Sequence, residues 1–202
     1  MATITKERAI KALLAKNTGC FGAVQAGKLF SINNSNTLYK LLQRLEKAEI
    51  IKRIRAGKYI FLLNRPLEFE LANFMVSPSY ISCESALSFY GMLPQFSYSI
   101  TSLTLAKPAA IIFEGKEYEY SHIDRKYFFG FEKALDNKTS RPFLIASREK
   151  AFLDLLYLVS KGQRKLSRDE LDLSGVNKKV LKNMAGNFKF TPLAKIVRKY
   201  VE

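Results

Sequence analysis

Between Asn34 and Lys58 the chain sets out side chains that could recognise a polyanion: Asn34, Ser35, Asn36, Thr37, Tyr39, Lys40, Gln43, Arg44 and Lys47, then Arg53, Arg55 and Lys58. Carboxamides and guanidinium forks match the donor and acceptor patterns of base edges, and lysines meet phosphates as point charges. No acidic residue enters this run before Glu46. The chemistry is non-covalent, a matter of hydrogen bonding and charge neutralisation.

Residue sets for covalent chemistry are weaker. Ser147-x-x-Lys150 has the spacing of a serine–lysine pair, yet a serine ahead of an apolar run is a helix cap by default, and the motifs that accompany such a nucleophile are missing. Glu114-Gly115-Lys116 and Asp136-Asn137-Lys138 echo the acidic and lysine element of metal-dependent nucleases, in which carboxylates hold the ion. Both contain turn residues between strand-like runs, so solvated turns are the simpler expectation. His122-x-Asp124 has no nucleophile tied to it, and Tyr118, Tyr120 and Tyr127 sit at strand spacing, as packing residues do. With two cysteines and one histidine there is no zinc pattern, and nothing calls for a metal or a cofactor.

The polyanion-facing residues need a scaffold, and the same stretch supplies it. Leu38, Leu41, Leu42 and Leu45 fall at i, i+3, i+4 and i+7, which puts them on one stripe of a helix starting near Ser35, with Asn34 and Ser35 as cap candidates. After Ala48 the period changes, and two short strands are predicted to turn at Ala56-Gly57. Upstream, Thr5–Lys16 predicts a helix with Ile10, Leu13 and Leu14 inward, and Ala23–Phe30 a shorter one holding Val24 and Leu29. Three helices and a basic hairpin make a winged helix-turn-helix. In that arrangement Ser35, Asn36, Thr37, Tyr39 and Lys40 read bases in the major groove of double-stranded DNA, while Gln43, Arg44 and Lys47 grip its backbone. The plainer alternative is an amphipathic helix whose polar face meets only water.

Charge is distributed to match. The net +15 divides into 13 Lys/Arg against 3 Asp/Glu over residues 1–65, 9 against 11 over 66–160, and 11 against 4 over 161–202. A polyanion-facing front fits this better than uniform basicity does. The basic C-terminal region suits a second DNA surface, an acidic partner or plain solvation. No apolar run is long enough to cross a membrane and the N-terminus is charged where a signal would be apolar, so a cytoplasmic protein with free, buried Cys20 and Cys83 is expected.

Asn64-Arg65-Pro66 reads as the boundary between a DNA-binding domain at 1–65 and an α+β domain at 66–202. The second domain opens on a helix over Leu67–Val76. Strand-like pieces follow at Tyr80-Ile81, ITSLTLA, AIIFEG, KEYEYSHI, KYFFGFE and RPFLIA, which short connections would assemble into a mainly antiparallel sheet. Helices are expected after the caps Ser82 and Ser147, the latter with Phe152, Leu155, Leu156 and Val159 inward. Others should begin at Ser167, near Asn177 and at Thr191.

Two segments resemble a known family. Tyr80-Ile81-Ser82-Cys83-Glu84-Ser85-Ala86-Leu87-Ser88-Phe89-Tyr90-Gly91 is similar to the YIS-ESAL-YYG block of the AbiEi-type antitoxins. Ser147-Arg148-Glu149-Lys150-Ala151-Phe152-Leu153-Asp154-Leu155-Leu156-Tyr157 resembles their PEKALLDLLY block, with Arg148 where proline is usual. The front domain, with its Gly57-Lys58-Tyr59 turn, sits where theirs does. The resemblance implies a component of a toxin–antitoxin, abortive-infection system. Its front domain would bind inverted repeats in its own promoter and repress it. Its rear domain would counteract a nucleotidyltransferase-type toxin, in many members without stable contact. Other possibilities are a metal-dependent nuclease using Glu114, Lys116 and Asp136, a transcriptional regulator without antitoxin activity, and a protein-interaction module.

Overall fold

The computed structural model describes residues 4–93, 98–166 and 171–201. Among these the chain is α+β, with eight α-helices and two sheets, and it divides into two compact units, Met1–Met75 and Val76–Glu202. The cap expected at Ser167 lies outside the described residues. No described helix is long and apolar enough to cross a membrane.

In the first unit, α1 (Lys6–Ala15) starts where the Thr5 hydroxyl accepts the Arg8 amide at 3.3 Å. Ala9 and Leu13 form its buried face; Leu14, expected inward, is half exposed. α2 (Ala23–Leu29) likewise turns Ala26 inward, with Phe30 just past its end, and leaves Val24 75% exposed. In each helix an alanine is buried that the sequence did not single out, Ala9 in α1 and Ala26 in α2. α3 (Ser35–Lys47) buries Leu38, Leu41, Leu42 and Leu45, as its periodicity predicts. These leucines form one core with Ala9, Leu13, Phe21, Ile51, Tyr59 and Phe61.

The hairpin forms as β2 (Ile51–Arg55) and β3 (Lys58–Phe61), turning at Gly57 with φ +70°, a conformation that favours glycine. Unexpectedly, a third strand, β1 (Cys20–Gly22), pairs with β3 and stacks Phe21 on Tyr59 at 5.8 Å between ring centres. Three residues are too short a run to carry a readable alternation. α4 (Glu68–Met75) lies against β1 and buries Leu71, Ala72 and Met75, so it belongs to the first unit. The division therefore falls after Met75 instead of at Asn64-Arg65-Pro66.

The second unit holds a six-stranded sheet in the order β6-β7-β5-β4-β9-β8, comprising β4 (Ser79–Ile81), β5 (Ser99–Thr104), β6 (Ala109–Phe113), β7 (Lys116–His122), β8 (Phe131–Leu135) and β9 (Pro142–Ala146). The sheet is mixed, where a mainly antiparallel one was expected: β5 runs parallel to β7, and β4 to β9. No helical crossover is needed for the first pair, because β6 runs the return leg along the edge and β7 slots between β6 and β5. α5 (Cys83–Phe89), α7 (Lys178–Gly186) and α8 (Thr191–Val201) all pack on α6 (Arg148–Ser160). Being covered on several sides, α6 is buried at every position from Lys150 to Leu158 and not on one stripe alone. KYFFGFE forms a 3-10 turn at Arg125–Tyr127, and its last residues enter β8.

Candidate nucleic-acid interface

The first unit gathers most of the predicted polar side chains on the face of α3 opposite its leucines. The Asn34 side chain caps the helix, accepting the Thr37 amide at 3.0 Å and the Thr37 hydroxyl at 3.3 Å. Ser35 therefore stands in the first turn and is not the cap. Ser35, Asn36, Thr37, Lys40, Gln43, Arg44 and Lys47 are exposed, and Tyr39 is 48% exposed. Lys40, Gln43, Arg44 and Lys47 follow one another at i, i+3, i+4 and i+7, one above the next on the helix surface. With Thr37 they line a shallow depression of about 450 Å³.

Among the described residues no ion pair neutralises Lys40, Arg44, Lys47 or Arg53. Arg44 and Lys47 also lie in the last turn of α3, where cations stabilise the helix dipole by about 0.3–1 kcal/mol. That accounts for two of the charges; Lys40 and Arg53 lie outside that turn. Arg53 is exposed on β2, where its Nε donates to the Arg55 carbonyl at 3.4 Å. The buried Tyr59 phenol has its pKa raised, first by burial, while Arg53 lowers it and Glu46 and Tyr39 raise it.

The hairpin tip departs from expectation. Lys58, expected to face solvent at the tip, is half-buried; its ammonium donates to the Phe74 carbonyl and to the Met75 carbonyl at 3.1 Å, and lies 5.0 Å from the Phe74 ring centre. Burial, with the adjacent Arg55, holds its pKa below the ordinary lysine value. Arg55 reaches the same Met75 carbonyl at 3.4 Å. The C-terminus of α4 presents carbonyls without helical partners, and these two cations satisfy them. Both side chains are expected on the duplex from sequence; here they bond the end of α4, a helix ten residues or more downstream that local pattern cannot connect to the hairpin, while Arg55 stays exposed. Sequence reasoning also passed over Lys52, exposed on β2. The alternation of that strand was the signal that could have found it.

The candidates for covalent chemistry lie in the second unit and are not assembled. Ser147 caps α6, its hydroxyl accepting the Lys150 amide at 3.3 Å. The Lys150 ammonium is fully buried, paired with Asp154 one turn along, and donates to the Tyr80 hydroxyl at 2.9 Å. Asp154 in turn accepts from Tyr80 at 3.0 Å and Ser82 at 2.8 Å. Its pKa is raised by burial, against the pull of Lys150 and the two hydroxyls. Ser82, expected as a cap, thus spends its hydroxyl on Asp154. Gly130 lies directly over the lysine stem; a Cβ there would come within 3.0 Å of Lys150 Cγ.

Glu114 and Gly115 form the β6–β7 turn, and Asp136 opens the β8–β9 turn, accepting the Lys138 amide at 2.9 Å and the Thr139 amide at 2.7 Å. These turns sit at opposite edges of the six-stranded sheet, roughly 20 Å apart at about 4.8 Å per strand, and at opposite ends of its strands. Glu114, Lys116 and Asp136 therefore cannot share one ion. Among the described residues no three His, Cys, Asp or Glu side chains gather where they could hold a metal. Cys20 and Cys83 are both free; Cys20 is half-buried beside Glu70, and burial raises the Cys83 thiol well above its usual range. No protein-family model matches this chain, and no curated protein matches it either.

Proposed function

We propose that this chain is a sequence-specific DNA-binding repressor that doubles as an antitoxin. Its first unit acts as a winged helix-turn-helix, with α3 in the major groove and Arg53 of the hairpin on the adjacent backbone. The observation that carries this reading is α3 itself: four leucines lock one face into the core, and on the other Lys40, Arg44 and Lys47 stand without carboxylate partners among the described residues. Uncompensated cations on a rigid, core-anchored helix are what a phosphate lattice requires. Asn36, Thr37 and Tyr39, nearer its N-terminus, are the side chains for base edges; Arg55 and Lys58 are left to α4. The antitoxin half, aimed at a nucleotidyltransferase-type toxin in the cytoplasm, is supported by the resemblance of the Tyr80–Gly91 and Ser147–Tyr157 blocks to the AbiEi-type antitoxins.

A gel shift on the DNA upstream of the gene tests the first half. Retardation should fall steeply with salt, and alanine at Lys40 or Arg44 should weaken binding to all sequences. Alanine at Asn36, Thr37 or Tyr39 should also relax base preference. No retardation at low salt would refute DNA binding. Co-expression with the product of a neighbouring nucleotidyltransferase gene tests the second half: growth should be restored by the full chain and not by a chain lacking the second unit.

A further inference from the structure

The second unit carries a concavity of about 520 Å³ that the proposed function does not use, lined by the Leu105–Pro108 strap, Ser121, His122, Lys161 and Gln163. Its construction follows from the parallel pairing of β5 and β7. Thr104 is in register with His122, so both strands end at one margin of the sheet. The chain leaving β5 then passes over the end of β7 on its way to the edge strand. The Ile123 amide donates to the Thr104 carbonyl at 3.0 Å, and His122 Nδ1 lies 3.0 Å from the Ala106 carbonyl. A carbonyl only accepts, so Nδ1 carries the proton and Nε2 is the nitrogen left for other partners.

The end of α6 contributes the remaining groups. The Lys161 ammonium lies 5.1 Å from the Tyr157 ring centre and 3.5 Å from its hydroxyl. The carbonyls that would make this helix end negative are occupied: the Lys161 amide takes those of Tyr157 and Leu158, Gly162 that of Val159, and Gln163 again that of Leu158. Among the described residues neither Lys107 nor Lys161 has a carboxylate partner, and the acid near the concavity is Asp124, 3.8 Å from His122 Nε2. Arg164, next along the chain, does not count toward the site, being committed to Glu119 and Glu84.

Among the described residues, two lysines without carboxylate partners, a histidine, a serine and a glutamine thus line one space together with Leu105, Ala106 and Pro108. We propose that this concavity binds a phosphate-bearing small molecule. Its oxygens would be held by Lys107 and Lys161 and its less polar remainder would lie on the strap. Charge-assisted bonds from ammonium to phosphate oxygen are the strong ones, and the volume lies in the range of small-molecule sites.

His122 is the one histidine of the chain, so its imidazole signal in a proton NMR spectrum reports on the site without assignment. The full chain is titrated with inorganic phosphate, with adenosine monophosphate and with adenosine, at fixed pH and with ionic strength held by chloride. A saturable shift with either phosphate compound and none with adenosine is expected. Tighter binding of the monophosphate than of phosphate would identify a nucleotide as the source, and equal binding a bare phosphoryl group. The double variant Lys107→Ala, Lys161→Ala should bind about tenfold or more weakly, while its gel shift on upstream DNA stays unchanged. No saturable shift, or one that persists in that variant, overturns the proposal. So does a parallel loss of DNA binding, which would assign these lysines to the duplex.

Discussion

α3 and α6 are both thirteen residues long, and both carry a lysine within their first two turns, yet they treat that charge in opposite ways. Lys40 is exposed on a helix with one covered face, and among the described residues it has no acidic partner. Lys150 is wholly buried on a helix covered by three others, and every polar atom it meets has been arranged for it. A charge left in solvent costs little and is free to meet a partner; a charge taken out of water must be matched within the fold. Exposure without compensation is thus the feature that separates the proposed recognition surface from the structural ion pair, and composition alone does not distinguish the two.

The largest effect should come from breaking the buried pair. Lys150→Ala or Asp154→Ala leaves an unmatched charge in the core and should cost about 3–5 kcal/mol in urea unfolding. The double replacement Lys150→Met, Asp154→Leu should recover part of that loss by removing the orphaned charge, the remainder reflecting the Tyr80 and Ser82 hydroxyls that lose their acceptor. If the single variants cost less than about 1 kcal/mol, the contrast with α3 disappears.

On α3 the reverse is expected. Replacing Lys40, Arg44 and Lys47 together by alanine should change unfolding stability by less than about 1.5 kcal/mol, at roughly 0.5 kcal/mol per surface site. The logarithmic salt slope of DNA binding should fall by about 3, one for each phosphate no longer neutralised.

The hairpin supplies a finer comparison. Lys58→Ala should cost on the order of 1 kcal/mol in stability, discounted for its partial exposure, and leave the DNA salt slope unchanged. Arg53→Ala should do the opposite, lowering the slope by about 1 at nearly constant stability.

The smallest effect concerns Asp136. Burial nudges its carboxyl upward, but hydrogen bonds from Thr139 and Lys138 outweigh this and hold the pKa below the ordinary aspartate value. A folded-state pKa that is depressed gives a contribution present above the unfolded value, near 3.9, and lost as pH falls through the folded one. The Lys138 and Thr139 amide resonances should therefore move at a lower pH than those beside an ordinary aspartate. In Asp136→Asn that movement should be absent.

Nearly all of α3 is legible in the sequence: its stripe, its cap at Asn34 and its exposed cations all follow from local spacing. For α1 and α2 local spacing sets the right limits and partly the wrong inward residues, since Ala9 and Ala26 are buried while Leu14 and Val24 are exposed. In the rear sheet the strands are legible and their order is not. Alternation identifies a strand but is silent on which strand lies beside it, and β7 entering between β5 and β6 is a choice made by the whole unit. Lys150 and Asp154 are visible as opposite charges four apart in an apolar helix, a signal of a buried pair that the cap-and-stripe reading of α6 overlooked.

What the sequence by itself determined here is what is encoded within a few residues: helix faces, caps, the glycine turn, and a front half rich in cations. Only the tertiary structure decided which cations remain available. Lys58 and Arg55 turn to carbonyls at Phe74 and Met75, and Lys150 is enclosed with Tyr80 and Ser82, partners about seventy residues away. The physical reason is that periodicity reports which side of an element is apolar, whereas the cost of a charge depends on what comes to cover it, and the covering groups arrive from distant parts of the chain.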